Sequence, residues 1–172
     1  QMLARQISSG APADVFISAG EFPVRTLAEQ GLVESKPVQV LANKLVVVTR
    51  PDRVRVEKVE QLATDVVERL AIADPELAPA GAYSKEALIG LGLWEQVESK
   101  LVLGADVRTT LVYVQTGNAD AALVYETDAA TARDLLALDI VPIESYSPIV
   151  YPVIIVRRSG KKDRAAEFVK LL

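Results

Sequence analysis

The sequence predicts an α/β fold, and three observations predict it. Short runs rich in Val, Ile and Leu recur along the chain with helix-like segments between them, the alternation expected of sheets joined by helical connections. Several of these runs are almost continuously apolar, as strands covered on both faces must be. The chain has 172 residues, half of them hydrophobic and 24% charged, which is enough to bury a core in one ordinary domain or two small lobes.

The elements follow in order. Residues 1–10 (QMLARQISSG) read as a helix already in progress over 2–9, ended by Gly10. Strands are expected at 13–18 (ADVFIS), 44–49 (KLVVVT), 70–73, 100–103, 121–125 (AALVY), 140–143 and 152–157 (PVIIVR). Helices are expected at 22–30, at 56–68, at 83–100 with a break at Gly90 to Gly92, at 107–116, at 129–136 and at 161–172. The clearest helical period is Val107, Leu111 and Val114, three apolar side chains on one stripe. The alternation also predicts largely parallel sheets. No internal repeat or low-complexity linker marks a lobe boundary.

Composition excludes several classes of function. There are 19 Lys and Arg against 23 Asp and Glu, a net charge of −4 with no basic run, so the concentrated positive surface that nucleic acid requires is missing. With neither His nor Cys, imidazole bases, thiolate nucleophiles and the usual zinc and copper ligands are absent. What remains is carboxylate, hydroxyl, amine and backbone chemistry, and no resident cofactor is expected. No apolar run approaches the ~18 to 20 residues that span a bilayer. The first residues lack the pattern of a signal peptide, so an export signal or anchor is expected outside these residues.

Two helix starts stand out because small or capping residues precede them. Pro79, Ala80 and Gly81 lead into the helix that carries Tyr83 and Leu88, and Asp106 is a candidate N-cap for the helix beginning at Val107. Free N–H groups and the helix dipole make such starts anion sites. Tyr125 closes an apolar run at the C-terminal end of a strand, the edge where ligands bind in open α/β sheets. Ser18-Ala19-Gly20 after ADVFI has the same placement. Ser84-Lys85 reads as a solvated surface pair, since adjacent helical residues do not face each other. Glu57, Glu60, Asp65 and Glu68 read as an exposed acidic face, and Leu93 with Trp94 as a plug at a core edge. No phosphate loop, dinucleotide fingerprint or metal motif occurs.

In order, LARQI and GAPADVFISA (3–7 and 10–19), NKLVVV (43–48), DPELAPAGAYSKEALIGLGLWEQVESKLV (74–102), DVRTTLVYVQTGNADAALVYETDA (106–129) and YPVIIV (151–156) resemble the molybdate-binding proteins of ABC importers, a branch of the type II periplasmic binding proteins. The resemblance runs over nearly the whole chain. It implies a two-lobed binder that closes on molybdate or tungstate outside the cytoplasmic membrane and delivers it to a membrane permease, with no bond made or broken. It further implies that the chain is membrane-anchored or periplasmic and a monomer at full length. The anion contacts it implies are the backbone N–H groups of Ala19, Ala80 and Val107 and the phenolic O–H of Tyr125, with Ser18, Gly81 and Asp106 in support and no metal-cation ligand.

Neutral donors suffice for a doubly charged oxyanion. A hydrogen bond to a charged group contributes roughly 1.5 to 3 kcal/mol, so four give a gross ~6 to 12 kcal/mol before the costs of closure and desolvation. A cage of donors alone rejects hydrogen phosphate, whose O–H finds no acceptor.

The chain also departs from that family. Two serines that donate hydroxyls to the anion, with the family's first strand, first helix and second strand, would fall upstream of Gln1, so the chain is expected to be part of a longer protein. Gly20 stands where the family often has an acidic residue. The expected lobes are residues 1–44 with 130–172, and residues 45–129. The alternative function is the effector-binding domain of a transcription regulator with the same fold.

Overall fold

The computed structural model describes residues 2–172. Gln1, the first residue of the expected opening helix and of the first lobe, lies outside the described residues. The chain forms two compact units, residues 2–42 with 149–172 and residues 43–148. Residues 43–44 and 130–148, assigned from the sequence to the first lobe, fall in the second unit.

In the first unit, α1 (Met2–Ser8) and α2 (Phe22–Glu29) cover a sheet of β1 (Val15–Ile17), β2 (Val38–Asn43) and β8 (Ile149–Ile155), in the order β1-β8-β2. α7 (Lys162–Leu171) closes the chain. Ala4, Ile7, Val24 and Leu27 from the helices meet Phe16 and Ile154 from the strands in one core. Gly10 ends α1 at φ +97°, and the N–H of Ala11 returns to the carbonyl of Gln6, a left-handed stop that favours glycine. β1 and β8 are antiparallel, with Phe16 opposite Ile154.

The second unit carries a five-stranded sheet in the order β5-β4-β6-β3-β7. Its strands are β3 (Leu45–Thr49), β4 (Leu70–Ala73), β5 (Leu101–Gly104), β6 (Ala121–Tyr125) and β7 (Leu136–Leu138). Its helices are α3 (Pro79–Gly90), α4 (Trp94–Val97), α5 (Val107–Gln115) and α6 (Glu126–Ala129). β3 and β4 are buried along their whole length, which is why their sequences are unbroken apolar runs. The α5 stripe behaves as its period predicts: Leu111 and Val114 are buried against Val46, Val124 and Ala129, with Val107 partly buried beside them.

The sheets are less parallel than expected. β4 pairs in parallel with β5 and β6, but β3 is antiparallel to both β6 and β7.

Other local expectations are corrected as well. The helix expected over 56–68 shrinks to one 3-10 segment, Val59–Ala63, because the side chain of Gln61 takes the N–H groups of Glu57 and Lys58, and Thr64 turns back onto the carbonyl of Gln61. The helix expected over 129–136 is a single turn ending at Ala129, and Leu136–Leu138 instead pairs with Val47 to Thr49. The strand expected at 140–143 is absent, with Ile143–Ser145 a 3-10 turn.

Candidate functional site

The candidate site lies where three parallel strands end. β5, β4 and β6 lie side by side and point the same way, so their C-terminal ends share one edge of the sheet. α5 follows β5, α3 follows β4, and Tyr125 is the last residue of β6. The N–H of Asp74, just past β4, donates to the carbonyl of Gly104 at the end of β5 at 2.7 Å. That bond holds the two ends together.

At β4, Pro79 opens α3, where a missing N–H costs nothing. Gly81 then meets the carbonyl of Ala73, and a side chain there would leave no room for the contact. The N–H groups of Gly81 and Ala82 both return to the carbonyl of Ala78. Ala80 is left as the first-turn residue whose N–H has no carbonyl to meet inside the helix, and its side chain is buried. Pro79 and Gly81 therefore belong to the helix itself.

At β5, Asp106 caps α5 as its sequence position predicts, its carboxylate accepting the N–H of Thr109 at 2.7 Å. That bond, first among the causes, holds the Asp106 carboxyl below the ordinary carboxylate value. With Asp106 occupied by the N–H groups further into the helix, Val107 at the first helical position has its N–H directed outward from the helix start. Asp128 in α6 has the opposite tendency: burial chiefly pushes its carboxyl up, the charge of Asp106 adds to this, and Arg108 opposes it. α5 and α6 thus bring two carboxylates and one guanidinium to the same neighbourhood.

At β6, Tyr125 is half-buried and stands opposite Leu45 in the antiparallel pair with β3. The next residue is fastened twice: the N–H of Glu126 donates to the carbonyl of Lys44 at 2.9 Å, and its carboxylate lies 3.2 Å from the Lys44 ammonium. Lys44 also binds Asp139, and these two carboxylates hold its ammonium pKa above the ordinary value.

In the first unit, Ala19 is exposed in the turn after β1. The N–H groups of Ser18 and Gly20 donate to the carbonyls of Pro152 and Val150 in β8, so the intervening N–H of Ala19 falls on the side away from β8. Ser18 is buried, with its hydroxyl on the carbonyl of Gly20 at 2.8 Å. Gly20 has φ +100°, a backbone conformation that suits glycine and strains an acidic residue.

Ser84 does not lie on the solvated surface expected of the Ser84-Lys85 pair. It is fully buried, with its hydroxyl on the carbonyl of Ala80 at 2.7 Å, and only Lys85 faces outward, its ammonium 5.0 Å from the Trp94 ring centroid. The signal was present in the spacing of Ala80, Gly81, Ser84, Ala87 and Leu88, all buried on one side of α3. Two further residues were missed. Thr110 is fully buried and Gly104 lies against it. The acidic residues Glu57, Glu60, Asp65 and Glu68 are exposed as expected. Leu93 is buried and Trp94 half-buried, matching a plug at a core edge. Among the described residues no cluster of acidic side chains could hold a metal ion, and no helix is long and apolar enough to cross a membrane.

Comparison with known proteins adds identity to this geometry. The chain is 41% identical over 172 residues to YvgL of Bacillus subtilis, a lipoprotein assigned as an ABC transporter substrate-binding protein, covering 99% of this chain and 65% of that protein. It is 34% identical over 175 residues to the molybdate-binding protein ModA of Haemophilus influenzae, covering 99% of this chain and 68% of that protein. Among solved structures, a substrate-binding domain assigned to a molybdenum ABC transporter of Clostridium difficile superposes with a TM-score of 0.91 at 35% identity, covering 99% of this chain and 74% of that one. The chain spans about two thirds of the length of these curated relatives. The family of bacterial extracellular solute-binding proteins matches residues 1–172, and the chain belongs to that family.

Proposed function

We propose that this chain is the greater part of an extracytoplasmic solute-binding protein that captures molybdate or tungstate and delivers it to the permease of an ABC importer, without making or breaking a bond. The donors in the second unit are the N–H groups of Ala80 and Val107 and the hydroxyl of Tyr125.

The observation that carries this reading is the common edge of β5, β4 and β6, where two helix starts and one phenol come together on neighbouring strand ends. Relatives of both kinds, by sequence and by structure, are molybdate or molybdenum binders by name, and they give the regulator alternative no support. The chemistry fits a permanently deprotonated anion. The backbone N–H groups supply donors only, the phenol donates its O–H, and the two helix dipoles add a favourable field of about 0.3 to 1 kcal/mol each. No cationic side chain is required.

The test is a thermal-shift titration of this chain with molybdate, tungstate, sulfate and phosphate, because a ligand that binds only the folded state raises stability by RT ln(1 + [L]/Kd). Molybdate and tungstate are expected to raise the melting temperature, and phosphate to leave it unchanged. A cooperative melt that neither molybdate nor tungstate moves would overturn the reading.

A further inference from the structure

The second unit buries two hydroxyl side chains completely, Ser84 and Thr110, and each sits four residues after a carbonyl in the opening turn of α3 or α5. For Thr110 the connection is particularly direct. Its hydroxyl donates to the carbonyl oxygen of Asp106 at 2.8 Å, and its own N–H donates to the same oxygen at 3.1 Å. That carbonyl belongs to the peptide group whose other end is the N–H of Val107. A carbonyl that accepts two hydrogen bonds polarises its peptide and makes the attached N–H a stronger donor.

The surrounding sequence preserves this arrangement. A β-carbon at Gly104 would stand 2.7 Å from the Thr110 hydroxyl and 3.2 Å from the Asp106 oxygen, so only glycine at the end of β5 leaves space for both. On its other side, the Asp106 carboxylate takes the N–H of Thr109. The peptide between Asp106 and Val107 is therefore held from both sides.

We propose that Thr110 is a positioning residue of the anion site, its buried hydroxyl fixing and polarising the peptide that presents the Val107 N–H to the oxyanion. This rests on the oxyanion reading above for the identity of what Val107 meets. The action of the hydroxyl on the peptide is independent of that reading.

The variants that isolate the hydroxyl are Thr110→Ala and Thr110→Ser, which differ from each other by that one group. Both leave the Asp106 carbonyl bonded to the N–H of residue 110, so neither orphans a buried acceptor. Calorimetric titration with molybdate is expected to give about twofold weaker binding for Thr110→Ala, because one coupled hydrogen bond strengthens the next by roughly 10 to 30%, and recovery of the wild-type affinity for Thr110→Ser. In the ligand-free protein, the Val107 amide proton is expected to move upfield in Thr110→Ala and return in Thr110→Ser. Equal affinities for the two variants, with the Val107 resonance unmoved, would overturn the proposal. A shifted resonance with unchanged affinity would show that Val107 does not touch the anion, and overturn the positioning role. Wild-type protein that binds no oxyanion would overturn the functional reading instead, and the Val107 resonance then decides the action of the hydroxyl by itself.

Discussion

Gly81, the third residue of α3, lies so close to Ala73 at the end of β4 that a β-carbon on it would collide with the Ala73 carbonyl oxygen and stand 2.7 Å from the carbonyl carbon. Backbone meets backbone here, with no flexible side chain able to move away. Elsewhere in a helix interior, replacing glycine with alanine gains about 1 kcal/mol of helix propensity. At this position the collision dominates, and overpacking costs typically 1 to 3 kcal/mol. Gly81→Ala is expected to lower the urea midpoint and weaken molybdate binding together, because α3 must move off β4 and carries Ala80 with it. A midpoint at or above that of the wild type would show that the contact is not a constraint.

Tyr125 offers a narrower test of the proposed site. Tyr125→Phe keeps the ring in place at the end of β6 and removes only the phenolic oxygen. With a doubly charged anion as partner, the loss is expected to be about 1.5 to 3 kcal/mol of binding free energy, read by calorimetry with molybdate. Unaltered affinity would remove Tyr125 from the donor set and leave the backbone N–H groups to hold the anion.

The parts of this protein that were legible in its sequence are those set by neighbours along the chain. Asp106 could be named as a cap because its partner, Thr109, is three residues away. The end of α3 at Gly90, with Gly92 at φ +69°, was legible for the same reason. The placement of Tyr125 at a strand end was legible because the apolar run before it is a strand buried from Ala121 to Val124. What escaped was decided by distant partners. Leu136–Leu138 resembles helix until Val47 to Thr49 offers it a strand to pair with. β2 is mostly exposed, so its sequence lacks the apolar run that marks a buried strand. Ser84 belongs to the buried stripe of α3 that docks on β4, and the neighbouring Lys85 hides that stripe when the two are taken as a pair.

Tyr146 shows the energetic weight of one such distant partner. It is buried, and its hydroxyl accepts the N–H of Leu45, a fully buried residue at the start of β3, at 3.0 Å. Burial pushes the Tyr146 hydroxyl pKa up, further from neutral pH. Tyr146→Phe leaves the Leu45 N–H buried without its acceptor, which costs about 1 to 3 kcal/mol. The expected result is a lower urea midpoint with an unchanged slope, since the folded state loses one bond and the exposed area on unfolding is the same. Stability equal to that of the wild type would mean that water or another acceptor replaces the phenol.

The carboxyls at the starts of α5 and α6 should leave opposite marks on stability as pH changes. Asp106 is held below its ordinary value by the N–H of Thr109, so its contribution is present above the unfolded value and is lost as pH falls through the depressed folded value. Asp128 is pushed up, chiefly by burial, so its protonated form is favoured by the fold. The stability it contributes is complete below the unfolded value and is lost as pH rises through the raised folded value. Asp128→Asn is therefore expected to be more stable than the wild type at pH 7, with the difference closing below about pH 4, where both are uncharged. Asp106→Ala is expected to be less stable at pH 7, and its deficit should narrow on acidification as the wild type loses the same carboxylate. Urea midpoints between pH 3 and pH 8 read both trends. Parallel curves for Asp128→Asn and the wild type would show that the Asp128 carboxylate is as well solvated folded as unfolded, and that Arg108 offsets the burial in full.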